Sequence, residues 1–183
     1  MKLPETTGKI ETTAYQLKEI KAADIDNIHR GLSDRRVTRY YAVHFDTLED
    51  TREQMDWYAA LKRDGTGLWW GIYNSETGEF CGAGGYNDLD KANRKAEIGF
   101  WLFPEFWGRG IMQTAMPLVL QKGFEQLGLN RIEGFVDSRN SACKRAIEKI
   151  GFSHEGTMRQ AEIEHDHFID VDIYSFLRKD FDK

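Results

Sequence analysis

The chain has 183 residues, 40% hydrophobic and 30% charged, with a net charge of −5 at pH 7. That length suits one domain with a proper core, and the acidic balance argues against nucleic-acid binding driven by overall charge. Two cysteines, Cys81 and Cys143, are too few for a disulfide framework. No apolar run approaches membrane length, and the first thirteen residues contain no apolar signal core, so a cytoplasmic protein is expected.

Met1–Thr13 is polar and reads as a flexible arm ahead of a single domain over 14–183. Tyr15–Lys21 alternates weakly, as a first strand does. Ile25, Ile28 and Leu32 recur at helical spacing within Asp24–Leu32. Arg35–Phe45 is rich in aromatic and basic residues without a clean period. Thr47-Leu48-Glu49-Asp50 resembles a helix-opening cap, and Met55, Tyr58 and Leu61 carry an apolar face to about Arg63, before Asp64-Gly65-Thr66-Gly67. Leu68–Tyr73 and Phe80–Tyr86 flank the turn residues Asn74–Glu79 and predict a hairpin. Gly82, Gly84 and Gly85 mark a bulge or a close backbone approach. Asn87–Arg94 reads as a polar loop.

In Lys95–Leu102, Ala96, Ile98, Phe100 and Leu102 alternate with Lys95, Glu97, Gly99 and Trp101, which predicts a strand that Pro104 stops. After Gly108-Arg109-Gly110, Met112, Met116, Leu120, Phe124 and Leu127 form one helical stripe ended by Gly128. Pro117 falls inside it at a cost of about 3 kcal/mol, for which the sequence offers no reason. Asn130–Asp137 reads as a strand and Ser141–Ile150 as a helix with Cys143, Ala146, Ile147 and Ile150 on one face. Phe152–Met158, Glu162–His165 and Phe168–Leu177 read as closing strands. The order predicts a mixed α/β sheet.

A strand, a glycine-containing turn and a helix N-terminus together make an anion site, because the first helical N–H groups lack partners and the dipole favours negative charge. The words AEIGFW, FWGRGIM, GLNRIE, then Asn140 and EKIGFSHEG follow in that order. With them the chain resembles the GNAT acetyltransferase superfamily, in the branch that includes ribosomal-protein N-terminal acetyltransferases. The resemblance covers nearly the whole chain and is strongest from Gly82 to Phe176. It implies a single-domain GNAT-like fold with a mixed, mostly antiparallel central sheet flanked by helices. It also implies acetyl-CoA as cosubstrate, its pyrophosphate on the turn. The acceptor would be an amine, a protein or peptide N-terminus first, with antibiotic amines and polyamines open. A monomer or homodimer is expected, with no nucleic acid or membrane as partner.

The superfamily turn runs Gln/Arg-x-x-Gly-x-Gly/Ala, and here those positions are Trp107, Gly108, Arg109, Gly110, Ile111 and Met112. Gly110 is in place, Trp107 replaces the polar opener and Met112 the small closer. The backbone of Gly108 to Gln113 is therefore the expected binder, with Arg109 adding charge or simply solvated. Asn140 is a helix cap by type, and the resemblance adds a bond to coenzyme A. Arg139, Lys144 and Arg145 beside it offer contacts to a ribose phosphate or a solvated face.

Glu97 is the candidate base, since a protonated amine must lose a proton before attack and a carboxylate raised by burial can take it; its place opposite Ile98 and Phe100 equally allows an exposed strand charge. Cys143 stands where this branch often has Ser; it is either a proton donor to the leaving sulfur or a core thiol. Tyr174 is a second possible donor. Asp170 matches an acidic position of the closing strand and would orient the amine or serve as a structural charge. Backbone N–H groups from Phe100 and Trp101 through Leu102 and Phe103 would polarise the thioester and pair with the pantetheine arm. His154, His165 and His167 lack cysteine partners and ligand spacing, so no metal is expected. A non-catalytic coenzyme A module and a general nucleotide-phosphate binder are the competing readings, the latter lacking a P-loop Lys-Ser/Thr.

Overall fold

The computed structural model describes residues 14–41, 43–164 and 166–181; the expected arm at Met1–Thr13 and His165 lie outside the described residues. In chain order the elements are β1 (Tyr15–Glu19), α1 (Ile25–Leu32), α2 (Arg35–Thr38), α3 (Thr51–Asp64), β2 (Leu68–Asn74), β3 (Phe80–Asp90) and β4 (Lys95–Leu102). They continue with α4 (Ile111–Gln121), β5 (Arg131–Asp137), α5 (Ser141–Ile150), β6 (Ser153–Glu164), β7 (His167–Leu177) and α6 (Arg178–Phe181). The strands form one seven-stranded sheet in the order β1-β2-β3-β4-β5-β7-β6. Every neighbouring pair is antiparallel except β4–β5, which is parallel. A parallel pair needs a long crossover, and α4 supplies it.

That parallel pair is short. It holds only Lys95↔Arg131, Ala96↔Ile132 and Glu97↔Glu133, although β4 runs on to Leu102 and β5 to Asp137. On their other sides the two strands stay paired, β4 with β3 as far as Leu102 and β5 with β7 as far as Asp137. Beyond Glu97 the sheet therefore opens between two firmly held halves. Alternation along β4 sends side chains to two covered faces. Trp101 packs on α1, where a Cβ at Gly31 would lie 2.2 Å from its ring. On the opposite face Met116 of α4 lies against Gly84, the partner of Phe100.

The structure differs from the sequence reading in four places. The expected polar loop Asn87–Arg94 is shorter, because β3 continues through Asp90. The first two closing strands are one, β6, with a register shift between Met158 and Glu162. Gln160 sits there at φ 51, its N–H held by Asp170 Oδ1 at 2.8 Å. The helical stripe does not run unbroken to Leu127, since α4 passes through Pro117 and gives way to a π-helical turn over Lys122–Gln126. The buried Tyr86 hydroxyl donates to the Val119 carbonyl at 2.8 Å, taking an acceptor that the regular ladder would offer to Gly123. Finally, the short helices α2 and α6 were not read at all.

Candidate active site

The opening between β4 and β5 is the wall of a cavity of about 560 Å³. Ile98, Gly99, Phe100 and Trp101 line one side, and Gly134, Phe135, Val136 and Asp137 the other. Gly99 allows this wall to form, because Trp69 lies over it with ring atoms 2.7 Å from where a Cβ would stand. Trp69 in turn stacks with Tyr58 and Trp57 at centroid distances of 5.3 and 6.0 Å and donates its N–H to Asn87.

Backbone polarity along β4 follows from pairing. Phe103 N–H donates to the Cys81 carbonyl at 2.9 Å, so Cys81/Phe103 is a hydrogen-bonded pair. Antiparallel pairs alternate, hence Trp101 and Gly99 also turn their groups to β3, while Ile98, Phe100 and Leu102 turn theirs to the opening. Of the four residues expected to offer donors, Phe100 and Leu102 do so geometrically; Phe103 spends its N–H on Cys81, and Trp101 faces β3.

Glu97 lies where the strands part, among the residues lining the cavity. Burial, reinforced by the carboxylates of Asp88, Glu162 and Glu133, pushes its pKa up to about 7. Five carboxylates line the cavity: Glu53, Glu97, Asp137, Glu162 and Glu164. Arg139 neutralises two of them, bridging Asp137 and Glu164. Glu53, Glu97 and Glu162 make no ion pair among the described residues. The surplus is negative, and it faces the aromatic rings of Tyr40, Tyr41, Trp57 and Tyr58.

Past the end of β4 stands the glycine turn. Trp107, Gly108, Arg109 and Gly110 are all exposed. Gly108 and Gly110 adopt φ of 71° and 73°, a left-handed geometry that favours glycine. No side chain caps α4 at Gly110, so its leading N–H groups point outward. Ile111 and Met112 bury their side chains and can offer only backbone, whereas Gln113 is exposed. Arg109 places its guanidinium 5.7 Å from the Phe106 ring centroid. Trp107 is turned back, its indole N–H donating to the Leu102 carbonyl at 2.9 Å.

Asn140 caps α5, accepting from Cys143 N–H at 3.1 Å, and it lines the cavity with an amide nitrogen that has no partner among the described residues. Cys143 also lines the cavity, and burial raises its thiol to about 11. Lys144 does not reach outward as expected; Asp172 holds it at 2.8 Å, and it donates to the Ser138 carbonyl at 3.1 Å. Arg139 is engaged as described, which leaves Arg145 exposed.

Two expected residues stand apart from the cavity lining. Asp170 accepts from the Gln160 N–H through Oδ1 at 2.8 Å. Tyr174 is buried at 1% exposure and donates to Glu148 Oε1 at 2.9 Å. His154 approaches Asp172 at 3.4 Å, and no group of three or more metal-ligating side chains gathers among the described residues. The sequence reading missed Glu53, Trp57 and Glu162. Glu53 and Trp57 share one helical face at i, i+4, a signal that a solvated face gives equally well.

Residues 16–153 match the family described as acetyltransferase (GNAT) domain. The uncharacterized N-acetyltransferase YoaA of Bacillus subtilis (strain 168) is 33% identical over 170 residues, covering 92% of this chain and 96% of its own. The ribosomal-protein-serine acetyltransferase of Escherichia coli (strain K12) is 28% identical over 127 residues, covering 69% and 70%. Among solved structures, spermidine N-acetyltransferase from Vibrio cholerae, in complex with CoA and spermine, superposes at TM-score 0.84. The match covers 94% of this chain and 100% of that one at 19% identity, a likeness of fold.

Proposed function

The chain belongs to the GNAT acetyltransferase family and is an acetyl-CoA-dependent N-acetyltransferase; from there we propose that it acetylates a cationic primary amine, a protein or peptide N-terminus first, by direct transfer in a ternary complex. One observation carries this reading: the sheet opens between β4 and β5 with a raised carboxylate where the strands part, and an uncapped helix N-terminus follows the end of β4.

The residues present fit the cosubstrate. The amides of Gly108 to Gln113 suit a diphosphate, and the glycines keep side chains out of the way. The amide nitrogen of Asn140 adds a donor, and Arg109 adds charge at the turn. Acetyl-CoA supplies an acetyl group activated as a thioester.

Glu97 takes a proton from the ammonium, directly or through water, freeing the nitrogen lone pair. The Phe100 and Leu102 N–H groups face the side on which negative charge gathers at the carbonyl oxygen. The nitrogen–carbon bond forms, the carbon–sulfur bond breaks, and sulfur leaves with its electron pair. The nitrogen's remaining excess proton ends on that sulfur. Cys143, kept a thiol at neutral pH, is a donor that lines the cavity. Its proton is held more tightly than that of an ordinary thiol of about 8.5, so Cys143 serves by hydrogen bonding and by relaying the amine's proton.

Two features support a polypeptide acceptor. A relative is named for a ribosomal-protein serine, and the cavity rim carries the exposed apolar side chains Trp57, Phe135 and Ile163. A second reading, a polyamine, rests on Glu53 and Glu162, which a further ammonium group would meet. Thiol release from acetyl-CoA tests both, with serine-starting peptides, the same peptides N-blocked, and spermidine as acceptors. Turnover of free but not blocked peptides supports the first reading. Turnover of spermidine alone selects the second, and background rates with all acceptors overturn both.

A further inference from the structure

Beyond Glu97 no strand covers the β5-facing edge of β4, and a bare edge ordinarily presents N–H and C=O groups alike. Here the carbonyls of Phe100 and Leu102 are taken. The Tyr41 hydroxyl, from the segment after α2, donates to the Phe100 carbonyl. Trp107 gives its indole N–H to the Leu102 carbonyl. No side chain among the described residues takes the N–H of either Phe100 or Leu102, and both face the opening. Tyr41 itself lines the cavity, with Cys143, Tyr58 and Glu97 as charged or ionisable neighbours. Trp107 occupies the place where a polar side chain is expected, and its one N–H goes to β4 instead.

We propose that Tyr41 and Trp107 are positioning residues that make this stretch of β4 a donor-only edge, selective for a ligand carrying carbonyl oxygens along its length. A thioester followed by the amides of a pantetheine arm is such a ligand, so the proposal rests on the cosubstrate lying in the opening. The two bonds act at different points. Phe100 lies nearer Glu97 and the reacting end, whereas Leu102 lies nearer the glycine turn. Without Tyr41's hydroxyl, a bare Phe100 carbonyl would oppose the charge that gathers on the reacting oxygen, a loss confined to the transition state. Without Trp107's N–H, the Leu102 carbonyl would oppose the arm in ground and transition states alike.

Tyr41→Phe is expected to lower kcat about 10- to 50-fold while KM for acetyl-CoA changes less than threefold. Trp107→Phe is expected to weaken coenzyme A binding about tenfold by calorimetry, with the loss in KM rather than kcat. Independently of turnover, the Phe100 and Leu102 amide protons of the wild-type protein should move downfield in NMR spectra on adding coenzyme A. The carbonyl carbon of Phe100 should move in Tyr41→Phe without any ligand. If the amides of Gly108 to Gln113 respond to coenzyme A while those of Phe100 and Leu102 do not, the donor-only edge is wrong although the binding site stands. If none of them responds, the cosubstrate does not occupy the opening, and the functional reading falls as well. Equal effects of both variants on kcat and KM would also overturn the division of roles.

Discussion

A carboxylate titrating near 7 is half ionised under ordinary working conditions, and Glu97 owes that to burial and to three neighbouring carboxylates. As a base it works deprotonated. The logarithm of kcat/KM should therefore rise with pH at unit slope up to about 7 and level above it, until the acceptor's own ionisation intervenes. Glu97→Gln should cost about 10²- to 10³-fold in kcat/KM and abolish that rise, as steady-state pH profiles would reveal. The same residue carries a stability penalty. Its folded pKa, about 7, lies above the ordinary 4.5, so the folded state holds the proton more tightly and stability falls as pH rises through that window. Full conversion would give about 3 kcal/mol, but the group is half-exposed and solvent screens it, so roughly 1–2 kcal/mol is expected. Glu97→Gln should therefore melt roughly 2–6 °C above wild type at pH 8 and level with it at pH 4, by calorimetry. Alternation along β4 and the surrounding motif marked Glu97 as the base in the sequence but left an exposed charge open, because one strand's period does not reveal that helices cover both faces. The bond that Asp170 accepts from Gln160 was not legible either, because that partner lies ten residues away across a bulge.

The glycine turn and α4 act as one element. Gly110 holds φ 73 with open space around a would-be Cβ, the nearest atom lying 3.8 Å away. Gly110→Ala would thus meet backbone strain of about 1–2 kcal/mol rather than a clash. The strain would re-aim the leading amides of α4. Coenzyme A affinity should fall tenfold or more, and the melting temperature by only a few degrees, with calorimetry reading both. Tyr86→Phe removes a buried donor from the Val119 carbonyl and should cost about 1 kcal/mol, measured by chemical denaturation. β4 and α5 were legible to the residue, since each carries its own period and its own stop, Pro104 or Gly151. The π-helical turn was not legible. Its cause, Tyr86, sits 33 residues earlier, and no window over the helix contains it. β3 outran its reading for a similar reason, as Asn87 pairs with Glu97 despite its turn-like type.

At the scale of the molecule, a chain of net charge −5 concentrates unpaired carboxylates in one cavity. Such a field attracts cations and is screened by salt. KM for a cationic acceptor should rise several-fold between 50 and 500 mM NaCl, while KM for the anionic cosubstrate should not rise in parallel. Initial-rate kinetics would separate the two. The mixed α/β class and the mostly antiparallel sheet were readable from element order and motif. The parting of β4 from β5 was not, because it is a relation between strands 36 residues apart in register, Lys95 with Arg131, and neither strand's own pattern records how far they stay together. The most direct measurement is a crystal structure of the protein grown with a non-transferable acetyl-CoA analogue. The analogue's diphosphate should sit on the amides of Gly108 to Gln113 and its acyl carbonyl should lie between β4 and β5 within reach of the Phe100 N–H. An analogue bound elsewhere, with the opening filled by protein side chains, would contradict the site.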